Sequence, residues 1–154
     1  MSVQTIGVDL TAVGTAQLFS PGTIHFDKLG RCYQYCKCSS TIAQYSYVRV
    51  SHDSTFTVVV TNDTNVPSAK IWSVGCTQNA LSSGQYGWVF RGYGLHTGLF
   101  AASCVQNVKI LTTNTDGVVD DAGTTGILGL SLITTITGAA ASPAWAATRL
   151  GTYV

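Results

Sequence analysis

The chain has 154 residues, a length that fits one domain, and only 10% of them are charged, against roughly 25% in an average soluble domain. Eight Lys and Arg stand against seven Asp and no Glu, giving a formal net charge of +1. That balance leaves no basic field to displace counterions from DNA or RNA, and a charge-poor, near-neutral surface promotes association.

Helix-forming signals are scarce: Glu is missing, while Gly, Thr, Ser and Val are abundant and lower helix propensity. Residues 1–22 mix polar and apolar side chains without a sustained period. They read as an extended arm that crosses a neighbour or the domain's own flank, leaving residues 23–154 as one β domain. Residues 1–10 have neither a basic stretch nor an apolar core of a secretory signal, and no later run approaches the ~20 apolar residues of a membrane helix. The expectation is synthesis and first folding in a cytosol, with no membrane and no nucleic acid as partner.

After the Pro21-Gly22 turn, residues 23–27 predict a short strand. Residues 31–39 alternate, with Tyr33, Tyr35 and Lys37 on one face and Cys32, Gln34, Cys36 and Cys38 on the other. Residues 45–50, 55–61 and 69–77 predict three more strands, separated by polar turns. Residues 86–91 put Trp88 and Phe90 on one side, and 93–100 continue that strand beyond Gly92 and Gly94. Residues 107–113 follow, then Asp116-Gly117, the strongest hairpin signal in the chain. Residues 127–136 predict a late strand, 138–147 an Ala-rich loop and 149–154 a terminal strand. Nine or ten short strands at 8–12-residue spacing imply an all-β single domain, a barrel or a sandwich.

Residues that carry chemistry are few and scattered. Cys32, Cys36 and Cys38 share a strand face spread over ~20 Å, too far for three ligands to reach one ion. Buried packing is the default for most of the five cysteines, with a disulfide to Cys76 or Cys104 and a soft metal as alternatives for the three on this strand. His25, His52 and His96 lie in separate segments, and His52-Asp53-Ser54 cannot adopt triad geometry as three consecutive residues. Asp116, Asp120 and Asp121 read as hairpin polarity rather than a calcium loop, which would carry a Glu at its end. The sequence thus predicts no enzyme, no metal and no cofactor.

The run Val74-Gly75, Ala80-Leu81, Gly84, Tyr86-Gly87-Trp88-Val89 and Gly92 resembles a small β-domain of tailed-bacteriophage structural modules. It is followed by Ile110-Leu111-Thr112-Thr113 and then Gly117 to Gly123, which are similar to that family's hairpin. Pro21-Gly22 and Gly30-Arg31-Cys32-Tyr33 resemble its entry strand. The resemblance covers most of the chain from about residue 17 onward; the cysteine-rich strand and low charge depart from it. It implies a capsid decoration, or cement, protein on the outer surface of an icosahedral virion. Its expected partners are the major capsid protein and copies of itself, as a homotrimer. The alternative is a receptor- or glycan-binding module of a head or tail fibre, with Trp72, Trp88 or Trp145 as sugar platforms. Tyr86, Gly87, Trp88 and Phe90 are the expected structural centre or subunit interface.

Overall fold

A computed structural model of the chain describes residues 7–53, 55–62, 64 and 73–153. Among them are ten strands and no helix: β1 (Ile24–Phe26), β2 (Cys32–Cys38), β3 (Tyr47–Val50), β4 (Thr57–Val60), β5 (Ser73–Thr77), β6 (Tyr86–Phe100), β7 (Leu111–Thr112), β8 (Val119–Asp120), β9 (Gly126–Leu132) and β10 (Ala140–Tyr153). The all-β class read from composition and spacing is the class of the fold.

Five strands pair in a closed ring. β2 pairs with β4 in parallel, and β4–β3, β3–β5, β5–β6 and β6–β2 are antiparallel. Closure removes free edges that would otherwise recruit other chains. The ring is small, and the apolar side chains of Cys36, Cys38, Ile42, Val48, Val50, Val58, Leu81 and Val89 cluster in its interior. The alternation of β2 accounts for the cysteines: Cys36 and Cys38 point inward while Tyr33 and Tyr35 point out of the ring.

β6 is longer than the ring needs. Residues up to Arg91 form ring wall; the rest pairs with β10, from Gly92↔Arg149 to Phe100↔Ala140. The change of direction falls at Gly92 and Gly94, with φ of 142° and 116°. A Cβ on Gly92 would run into the carbonyl of Thr148 and stand 2.7 Å from Arg149 Cα. Only glycine permits both that dihedral and that approach. β10 also pairs with β9, so β6, β10 and β9 make a second antiparallel layer. The larger core lies between this layer and the ring's outer wall, with Tyr33, Tyr35, Trp88 and Phe90 facing Phe100, Leu130, Leu132, Ala144 and Ala146.

Two expectations need correction. The Ala-rich loop predicted at 138–147 is the first half of β10, a central strand hydrogen-bonded on both sides. Alanine is a poor strand former alone, but partners on both edges override that preference. The strand predicted at 107–113 shrinks to the two residues of β7. It pairs with β8 across Asp116-Gly117, Leu111↔Asp120, through a longer connection than a two-residue hairpin. The first part of the strand predicted at 69–77 lies outside the described residues.

The arm lies along the domain's own flank over residues 7–22. Gly14 exchanges backbone hydrogen bonds with Tyr86 (3.2 and 2.8 Å), and Val8, Leu10 and Phe19 pack on the larger core. Residues 1–6 of the arm fall outside the described residues.

Candidate functional site

Tyr86, Gly87, Trp88 and Phe90 lie on strand β6, in two environments. Trp88 is 3% exposed, with its ring 5.3 Å from Phe19, 5.2 Å from Tyr35 and 6.0 Å from His25. Tyr86 stacks on Tyr35 at 5.9 Å, and Phe90 is fully buried against Tyr33 and His96. Gly87 faces the other way, where a Cβ would stand 2.7 Å from Leu81 Cδ2. Its close neighbour is therefore a side chain. A buried Trp88 offers no sugar platform; Trp72 lies outside the described residues.

The histidines stay apart. His96 is buried, its Nε2 3.0 Å from Tyr47 Oη and its ring stacked on Phe90 at 4.3 Å. Burial pulls its pKa down to about 4, so the imidazole is neutral near pH 7. His52 Nε2 meets Ser73 Oγ at the surface, a nucleophile–base pairing across 21 residues that local sequence could not show. The Asp53 carboxylate does not orient it; that carboxylate accepts hydrogen bonds from the Thr55 N–H (2.9 Å) and hydroxyl. Burial, then Arg91 and Arg149, lower the His52 pKa. Two nearby cations oppose the imidazolium that a hydrolytic base must become.

All five cysteines are buried free thiols. Desolvation pushes the Cys36 thiol up to about 12 and raises Cys76 further, so neither ionises near neutrality. The acidic hairpin divides. Asp116 accepts from Asn62 Nδ2 at 2.6 Å, while Asp120 and Asp121 gather with Cys104, their ligand atoms within 4.8 Å of one another. Burial and then the two carboxylates raise the Cys104 thiol to about 11. The protonated thiol and the Val105 N–H (3.2 Å, to Asp121) serve this carboxylate pair. Sequence spacing had grouped the three aspartates and missed the cysteine, because Cys104 arrives from the far end of β6.

Two surface features remain. The first is an open pocket of about 340 Å³ lined by Leu10, Thr11, Arg31, Tyr33, Tyr45, Gln78, Asn79 and Thr97. Arg31, its single charged residue, is neutralised by Asp27 at 2.7 Å. Tyr45 sits at φ 66°, held by hydrogen bonds from its N–H to Thr77 O (2.8 Å) and from Leu99 N–H to its carbonyl (2.9 Å). A non-glycine residue there is uncommon and costs backbone energy, as is frequent where a side chain is aimed at a site.

The second feature is the outer face of β6–β10–β9. Trp145 stands opposite Leu95 on one side and Ser131 on the other; Pro143 is opposite Thr97, and Ala141 opposite Leu99. Trp145 is 48% and Leu95 49% exposed. None of these residues carries a charge. Thr97 belongs to this face and to the pocket rim.

No protein-family model, no curated protein and no solved structure matches this chain. Its chemistry is therefore read from the two surface features. The sequence named Trp145 only as one of three tryptophans that could serve as a sugar platform, and did not point to its neighbours. Their common face exists because residues 138–147 form a strand, which the Ala-rich composition concealed.

Proposed function

We propose that this chain is a non-enzymatic structural protein of a bacteriophage virion, binding the outside of an icosahedral shell and stabilising it. The observation that carries the reading is the uncharged outer face of β6–β10–β9, centred on the Leu95–Trp145 pair. A contiguous apolar patch of this kind marks an interaction surface, and an uncharged face is covered at low desolvation cost by another apolar surface. The major capsid protein and further copies of this chain, as a trimer, are the partners this reading calls for. Repetition by symmetry makes modest contacts per copy sufficient. The resemblance of the Gly84–Gly92 and Gly117–Gly123 motifs to decoration proteins points the same way.

The test is Trp145→Arg with particles imaged for occupancy of the shell. Trp145 is half exposed, so the variant should fold with a melting temperature close to that of the parent, while occupancy collapses. Undiminished occupancy, or a position away from the shell, overturns the reading.

The pocket favours a second reading, recognition of a neutral glycan. Two tyrosines beside two amides and an ion-paired arginine suit a polyol better than a charged ligand, and the volume falls in the range of ligand sites. Asn79→Ala should then abolish glycan binding without changing shell occupancy; binding that survives the substitution removes this reading.

A further inference from the structure

Arg91 is the one guanidinium enclosed in the ring. It is 1% exposed. On β6 it follows Val89, whose side chain is inside the ring, and Phe90, whose ring is outside. The β2–β6 register skips at this point, from Tyr33↔Phe90 to Cys32↔Gly92, making Arg91 the extra residue of a bulge. Gly75 on the facing strand leaves room for it: a Cβ there would lie 3.4 Å from Arg91 Cδ. Nε and Nη1 of Arg91 have no hydrogen-bond partner.

Among the described residues the charge is uncompensated as well. The ionisable groups that act on Arg91 are Arg149, itself cationic, and the thiols of Cys36 and Cys32. Both thiols are raised by desolvation and stay neutral near pH 7. Arg149 is placed by its pairing with Gly92, next to Arg91 in β6, and His52 feels both arginines. Burial and then Arg149 lower the Arg91 pKa to about 10, which leaves it protonated at neutral pH. Gln34 Oε1, unpartnered on the same interior face, is a hydrogen-bond acceptor but supplies no charge. A buried cation without a counter-charge is among the costliest features a fold can carry.

We propose that Arg91 holds a small monovalent anion inside the ring, with Arg149 adding positive potential beside it. Enclosure selects for size, so a halide or formate is the matching ligand class and a bulky anion is excluded. The bound ion is a structural cofactor of the ring.

The experiment titrates sodium bromide against sodium gluconate at constant ionic strength and follows the melting temperature of the full chain and of Arg91→Met. The wild type should show a saturable rise, about 5–10 °C at a hundredfold excess over Kd. The variant should show none and, in gluconate, melt no lower than the wild type. Bromide anomalous scattering from wild-type crystals, independent of whether the variant folds, should place one peak in contact with Arg91 Nε or Nη1. Parallel curves for the two proteins, or a guanidinium with no bromide beside it, overturns the proposal.

Discussion

Lowering the pH from 7 to 5 should cost this domain about 2 kcal/mol of stability through His96 alone. The imidazole is enclosed between Phe90 and Tyr47, and burial lowers its pKa from 6.5 to about 4. Between those values the unfolded chain binds a proton that the folded chain refuses. Stability is therefore complete above the unfolded pKa and falls as pH drops through the window towards 4. The full gap corresponds to about 3 kcal/mol, of which about two thirds is lost by pH 5. The charged group that acts on His96 is Arg31, a cation, so protonation gains no compensating partner. Urea unfolding followed by tryptophan fluorescence at pH 7, 6 and 5 measures the loss, and His96→Gln isolates it from His52, which shifts in the same direction. The variant should show a much shallower pH dependence. Equal slopes in the two proteins, or an NMR titration placing the His96 pKa near 6.5, would refute the reasoning.

Trp88→Ala should cost about 3–5 kcal/mol by opening a cavity against Phe19 and Tyr35. Trp88→Phe should cost much less, because the indole Nε1 has no protein hydrogen-bond partner to lose; thermal melts of both variants check the ratio, and equal losses would place the energy elsewhere. Thiol titration of freshly prepared protein should find none of the five thiols reactive in the native state and all five after denaturation; a deficit in the denatured sample would reveal an oxidised pair.

Much of the strand pattern was legible because its signals are local. Alternation in residues 31–39 placed Tyr33 and Tyr35 opposite Cys36 and Cys38, and the structure sends those two sets to different cores. The aromatic alternation of Trp88 and Phe90 likewise marked the wall of the larger core. β10 was hidden for the opposite reason. Its small residues carry little strand preference, and what holds them extended is a hydrogen-bonded neighbour on each side, contributed by residues far away in sequence.

The candidate sites follow the same division. Composition alone determined an all-β, charge-poor domain, since the absence of Glu and the abundance of Gly, Thr and Val act residue by residue. Only the tertiary structure decided that Cys104 joins Asp120 and Asp121, that His52 meets Ser73, and that Leu95 and Trp145 share one open face. It alone decided that Arg91, an ordinary cation among aromatics in the sequence, ends inside the ring without a partner. Burial and juxtaposition are properties of ring closure and strand register, and no local pattern of residue types encodes them.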